Sequence, residues 1–119
     1  MKAIHRAKTL AAYEGARVVM ATDNVYASYM LLKEAARGVL AYIVDDRYDY
    51  KCTTKTKLHK LLGMVTEDLV PIEDQENIHI FVEMEDAGLE TIMAMDMEVL
   101  KKIKKSIKHL IGEYMREPV

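Results

Sequence analysis

Residues 24–44, NVYASYMLLKEAARGVLAYIV, decide the fold that we expect for this chain. Their apolar side chains recur every three or four positions, the spacing that lines up one face of an α-helix. That face comprises Val25, Tyr29, Leu32, Ala36, Val39 and Ile43. Lys33, Glu34 and Arg37 are expected on the opposite, solvated side. Asn24 is a favoured N-cap residue, so this helix should begin there and run to about residue 44.

The segment before it, about residues 2–21, is predicted to be a helix because it is rich in alanine. Small residues recur there every four positions and would let another helix approach closely; they are Ala3, Ala7, Ala11 and Gly15, and also Ala12 and Ala16. A helix cap is favoured at Thr22, Asp23 and Asn24. Only a short link is therefore left between the two helices. We therefore expect an antiparallel helical hairpin.

Three further helices are predicted after a polar loop over residues 45–52. A short third helix, capped by Thr53 or Thr54, carries the apolar residues Leu58, Leu61, Leu62 and Val65. Pro71 interrupts the chain before a fourth helix over about residues 73–87, which Gly88 could close in a left-handed conformation. Asp96 is expected to cap the last helix, about residues 97–114.

The predicted fold class is all-α. The architecture would be an antiparallel up-and-down bundle of four main helices plus a short helix, in a single domain over residues 1–119. An α+β fold is the main rival, because residues 39–44 and 78–82 are rich in residues that favour strands. We prefer helix because the first of these runs continues a long helical period.

Composition restricts the setting and the partners. Cys52 is the single cysteine of 119 residues, so it cannot form an internal disulfide. No apolar stretch approaches the ~20 residues that span a bilayer, and the N-terminal residues lack the apolar run of a signal peptide. We therefore expect a cytoplasmic protein that does not associate with a membrane. The net charge of −2 argues against strong general binding to nucleic acid.

The charge is distributed unevenly along the chain. Residues 66–99 hold eleven acidic side chains and no Lys or Arg, and five lysines follow within residues 101–108. The two segments could pack side by side, so that their charges compensate. Alternatively, the acidic segment could dock a basic protein.

No complete catalytic, metal or cofactor motif is present. His5, His59, His79 and His109 are scattered without metal-ligand spacing, which favours single surface or interface histidines. The two serines lack a nucleophile elbow, and the five glycines stand apart instead of forming a phosphate loop. Lys51 and Lys55 could lower the pKa of the Cys52 thiol, although an ordinary loop thiol is the simpler interpretation. We expect no catalytic residue, no metal and no cofactor.

One basic group remains, at the start of the third helix. It comprises Lys51, Lys55, Lys57, His59 and Lys60. Several cations at a helix start can bind an anion, but they can also be a solvated helix face.

The order of these elements resembles HEPN-domain proteins. The resemblance lies in the long hairpin, in residues 27–37 (ASYMLLKEAAR), in residues 56–62 (TKLHKLL) and in the closing helix that begins near Asp96. It implies a bundle that dimerises through its long helices. Small members are commonly encoded beside a minimal nucleotidyltransferase, in toxin–antitoxin or nucleotide-linked modules. Many members are ribonucleases that use an Arg and a His four to six residues later. None of the five arginines here has a His at that separation, so no catalytic residue is carried over.

The sequence thus favours a non-catalytic, HEPN-like homodimer that binds a partner protein, such as a nucleotidyltransferase, or a nucleotide. The candidate ligand-binding residues are Arg37, His59 and Lys60, with Lys33 and Lys57 beside them. His59 matches the position of a recurrent His in the third-helix region of non-nuclease members. The alternatives are a divergent ribonuclease that uses Arg37 and His59, and a scaffold that docks a basic protein.

Overall fold

The computed structural model describes residues 2–48 and 50–115, and within them it contains six α-helices and no β-strand. The helices are α1 (Lys2–Met20), α2 (Val25–Arg47), α3 (Leu58–Met64), α4 (Ile72–Glu83), α5 (Leu89–Met93) and α6 (Met97–Tyr114). The predicted all-α class is confirmed. The rival α+β fold is wrong, because residues 39–44 lie inside α2 and residues 78–82 lie inside α4. Both runs follow the helical period of the segments that contain them.

α1 and α2 form the predicted antiparallel hairpin. Lys2 at the start of α1 pairs with Asp46 at the end of α2, with 2.7 Å between Nζ and Oδ1. Towards the link, Gly15 faces Leu31. Asn24 caps α2 as expected, since its side-chain oxygen accepts a hydrogen bond from the Ala27 amide at 3.0 Å.

The two helices approach most closely where Thr9 meets Gly38. A Cβ built on Gly38 would lie 2.1 Å from Oγ1 of Thr9, so only glycine fits there. The Thr9 hydroxyl is itself fixed, because it donates to the His5 carbonyl at 2.6 Å. Of the small residues predicted for the contact, Ala12 and Ala16 are buried and Gly15 faces Leu31, whereas Ala3, Ala7 and Ala11 are exposed. His5 and Thr9 complete the buried row of α1.

α2 is the central helix of the structure. It contacts α1, α3, α4, α5 and α6, and every residue from 35 to 41 is buried. Arg37 is among them, with 9% of its surface exposed. The expectation of a solvated Arg37 was therefore wrong. A helix with neighbours on nearly every side has no fully solvent-exposed face at its middle.

Two helix boundaries differ from the prediction. α3 begins at Leu58 with Lys57 in the N-cap position, not at Thr53 or Thr54. Thr53 instead organises a turn, in which its hydroxyl accepts from the Lys55 amide at 3.2 Å. α4 ends at Glu83, and Gly88 caps the start of the short α5, which the sequence did not predict. The φ of Gly88 is −76°, so the left-handed conformation proposed for it was wrong.

α4 and α6 run antiparallel. Asn77 donates to the Ser106 hydroxyl at 2.9 Å, and Asp74 pairs with His109 at 2.7 Å. Part of the acidic segment therefore packs against the lysine-bearing helix. Asp96 caps α6 as predicted, accepting from the Glu98 amide at 2.9 Å. In the part of the chain that the structure describes, no helix has the length and apolar character needed to cross a membrane.

Replacing Gly38 by alanine tests the helix contact. Because the new methyl group would overlap the Thr9 side chain, we expect Gly38→Ala to lower the free energy of unfolding by roughly 1–3 kcal/mol. Gly63 in α3 is the matched control, since a Cβ there meets nothing within 4 Å. Gly63→Ala should raise the free energy of unfolding by up to about 1 kcal/mol, because alanine favours helix. Urea denaturation measures both changes, and equal effects of the two substitutions would contradict the close approach.

Candidate anion-binding site

A cavity of about 220 Å³ lies between α2, the segment that leads into α3, and α4. Its lining is rich in basic side chains. α4 contributes the apolar residues Phe81 and Val82, and the acidic residues are Glu34 of α2 and Glu85, which follows α4. The lining residues are Lys33, Glu34, Arg37, Lys55, Thr56, Lys57, Leu58, His59, Phe81, Val82 and Glu85. Four of the five predicted ligand-binding residues are therefore brought together: Lys33, Arg37, Lys57 and His59. The fold unites a pair on α2 with a pair at the start of α3 that lies at least 20 positions further along the sequence.

Local helix geometry explains how these side chains converge. Lys33 and Arg37 are four positions apart on α2, so they project from the same side of the helix. Lys57 and His59 flank the first residue of α3, which packs against α2. The cavity thus has one basic wall on α2 and another at the start of α3.

The Arg37 guanidinium is the most constrained group in the cavity. Its Nη2 lies 3.4 Å from Oε1 of Glu34, at the long end of hydrogen bonding. Its Nε and Nη1 are buried, and no atom of residues 2–48 or 50–115 accepts a hydrogen bond from them. Arginine stays protonated in proteins, so these are buried charged donors. Leaving such donors unpaired is costly.

An apolar wall opposes the charged one. Phe81 of α4 is 1% exposed and packs edge-on against Tyr29, with 5.2 Å between ring centroids and 66° between ring planes. Apolar surroundings lower the local dielectric constant, which strengthens the attraction between a cation and a bound anion. The lining holds four Lys and Arg side chains against two carboxylates, so the balance favours a negative ligand.

Lys60, the fifth predicted residue, does not line this cavity. Its Nζ lies over the Tyr50 ring, 5.1 Å from the centroid. The hydrogen bond with the Tyr50 hydroxyl raises the pKa of Lys60. Lys60 therefore helps to hold the loop after α2 and is separate from the candidate site.

Sequence analysis missed the residues that α4 and Glu34 contribute. Phe81, Val82 and Glu85 lie more than 20 residues from His59, and no local spacing relates them to the basic group. Val82 and His59 also line an adjoining cavity of about 380 Å³ between α3 and α4. Its other lining residues are Leu62, Gly63, Ile72, Gln75, Glu76 and His79.

Cys52 is buried instead of lying free in a loop. His5 Nε2 lies 2.9 Å from the Cys52 carbonyl oxygen, and it must donate because a carbonyl only accepts. Both residues are fully buried, so they tie the loop after α2 to α1. Burial, followed by the charge of Asp45, raises the pKa of the Cys52 thiol. The suggestion that nearby lysines lower this pKa was wrong.

The structure also bears on metal binding. Among the residues that it describes, no group of three or more His, Cys, Asp and Glu side chains is arranged to hold a metal ion. The polar side chains that the cavity does bring together, Arg37, the lysines and His59, are of the type that pairs with anions.

Alkylation of Cys52 tests its environment. The raised pKa lowers the thiolate fraction at pH 8, and burial blocks the reagent. We expect iodoacetamide to react with the native protein at least about tenfold more slowly than with the protein unfolded in urea, since only thiolate reacts. Mass spectrometry follows the reaction. Equal rates in the two states would show that Cys52 is accessible.

Comparison of the chain with protein-family models, with curated proteins and with solved structures gives no match.

Proposed function

We propose that the protein is a non-catalytic, HEPN-like helical protein that binds the phosphate group of a nucleotide in the Arg37 cavity. The observation that carries the proposal is the pair of buried Arg37 donors, Nε and Nη1, that lack a partner among the described residues. In this proposal α1, α2, α4 and α6 are the four main helices of an up-and-down bundle. The all-helical structure and the resemblance of residues 27–37 and 56–62 support the HEPN-like assignment.

Phosphate fits the donors that the cavity offers. A guanidinium carries several charged N–H donors, and phosphate oxygens accept strong charge-assisted hydrogen bonds from them. Lys33, Lys57 and His59 line the same cavity and would pair with the remaining oxygens. Glu34 holds Nη2 of Arg37, which leaves the other two nitrogens for the ligand.

The adjoining cavity supports a nucleotide over a simple anion. At about 220 Å³ the Arg37 cavity is smaller than the ~300–1,000 Å³ usual for small-molecule sites, so it suits only part of a ligand. His59 and Val82 are shared with the adjoining cavity, where a base could pack on apolar atoms. Gln75 there donates its amide nitrogen to the Val70 carbonyl at 2.9 Å, so its amide oxygen would accept from the edge of the base.

Self-association belongs to the same proposal. Ile4 and Val18 on α1, with Tyr26 and Met30 on α2, expose 46%, 58%, 41% and 44% of their surfaces. Exposed apolar side chains on two long helices suit a homodimer, as the HEPN resemblance implies. The resemblance also implies a nucleotidyltransferase partner in a toxin–antitoxin module.

Sedimentation of the purified protein tests self-association. It should show a dimer at micromolar concentration, and a monomer at every concentration would exclude this part of the proposal.

Substitution of Arg37 tests the binding site. Arg37→Gln removes the charge and the paired donors, so we expect affinity for pyrophosphate and for ATP to fall by roughly 10- to 100-fold, the loss of about 1.5–3 kcal/mol from charged hydrogen bonds. Isothermal titration calorimetry measures both affinities. Arg17→Gln is the matched control, because Arg17 is exposed and pairs with Glu14 outside the cavity. Equal binding by wild type and Arg37→Gln would reject the site.

RNA cleavage is the second candidate, favoured by the position of Arg37 and His59 in one cavity. An arginine and a histidine together can stabilise a phosphate and transfer a proton. The first proposal expects intact RNA after incubation with purified protein. Cleavage that both His59→Ala and Arg37→Gln abolish, and that Arg17→Gln retains, would establish the enzyme instead.

A further inference from the structure

A second polar groove lies between α4 and α6, with a volume of about 540 Å³. It shares no lining residue with the Arg37 cavity, so the chemistry of this groove is independent of the proposed function. Acidic residues from the start of α4 face basic residues from α6 across it. The lining residues are Pro71, Glu73, Asp74, Asn77, Lys102, Lys105, Ser106 and His109.

The pair of Asp74 and His109 distinguishes this groove. His109 Nδ1 lies 2.7 Å from Oδ2 of Asp74, a short distance for a bond between nitrogen and a carboxylate. The side chain of Asp74 is 10% exposed, whereas that of His109 is 52% exposed. A buried carboxylate thus holds one edge of the His109 imidazole, and the His109 side chain is about half exposed to solvent.

This bond fixes the chemistry of the imidazole. An ionised carboxylate can only accept, so Nδ1 carries the shared proton. In the neutral ring the other nitrogen, Nε2, then has a free electron pair. A carboxylate partner also holds the ring in one orientation and stabilises the cation that forms when Nε2 reacts.

We propose that His109 accepts a phosphoryl group and that Asp74 is its positioning residue. Lys102 and Lys105 pair with the negatively charged oxygens of the phosphoryl group. Both lysines line the groove, and they lie seven and four positions before His109 on α6. These spacings place all three residues on one side of the helix. The donor belongs to the class of N-phosphoryl or acyl-phosphate compounds.

The step balances with phosphoramidate as the donor. The Nε2 electron pair attacks phosphorus, an N–P bond forms at His109, and the P–N bond of phosphoramidate breaks to release ammonia. No redox change occurs. The Nδ1 proton stays in its bond to Asp74, whose negative charge offsets the imidazolium.

His79 provides an internal control in the same molecule. Its Nδ1 lies 3.1 Å from Oε1 of Glu83, one turn away on α4, and its side chain is 52% exposed, as is that of His109. Glu83 is 65% exposed, however, and the pair lies outside the α4–α6 groove. The two histidines therefore share accessibility and a carboxylate partner, but only His109 has a buried partner and flanking lysines.

The experiment incubates the full-length chain with potassium phosphoramidate and follows each histidine by peptide mass spectrometry under conditions that preserve phosphohistidine. We expect His109 to be phosphorylated at least about tenfold faster than His79, the lower end of the effect of a carboxylate on an imidazole ligand. Equal rates would overturn the proposal and leave the pair as a structural link between α4 and α6.

Variants separate positioning from folding. Asp74→Asn should reduce the ratio of His109 to His79 rates towards one, and Lys102→Gln should lower it in part. Lys104→Gln is the matched control, since Lys104 lines a different cavity, with Tyr13. Because His79 is measured in the same protein, a general loss of structure would change both rates. An unchanged ratio in Asp74→Asn would overturn the role of Asp74.

Discussion

The structure depends on the packing of α2 among all the other helices. Each of the five other described helices contacts it, and residues 35–41 are buried without interruption. A continuous buried run of this kind requires small residues wherever a neighbour comes close. Ala35, Ala36, Gly38 and Ala41 meet this requirement. The remaining helices can be understood as layers that pack around α2.

The same constraint creates the candidate site. Arg37 lies within the buried run, so its guanidinium cannot reach bulk water as a surface arginine does. Glu34 satisfies one nitrogen, and the cavity against α3 and α4 surrounds the others. A protein that keeps an incompletely paired charge in its interior carries a cost in stability. In the proposed function, the binding of an anion offsets this cost. Site and core are thus two consequences of one packing arrangement.

Much of this arrangement could be predicted from the sequence, because it depends on local periodicity. The helical hairpin and the Asn24 and Asp96 caps follow from residue type and spacing within one segment. Non-local features could not be predicted in this way. The burial of Arg37 depends on how many helices surround α2, and the close approach at Gly38 depends on which residue of α1 lies opposite. The third helix begins later than predicted because Thr53 uses its hydroxyl within a turn.

The candidate site likewise contains residues that could be predicted from the sequence and residues that could not. Lys33, Arg37, Lys57 and His59 were identified from charge and residue type, and the fold brings them together. The residues of α4 that complete the cavity were missed, since only the packing of α4 on α2 and α3 brings them near. The contact between Asp74 and His109 could likewise not be predicted, because the two residues are 35 positions apart in the sequence.

Hydrogen–deuterium exchange of the native protein tests the central position of α2 most directly. If α2 is covered on all sides, its amides over residues 35–44 open only when the whole protein unfolds. They should therefore be the slowest to exchange, with a free energy of opening equal to that of global unfolding. Exchange of these amides as fast as that of α1 or α6 would contradict the account, because it would mean that α2 opens independently of its neighbours.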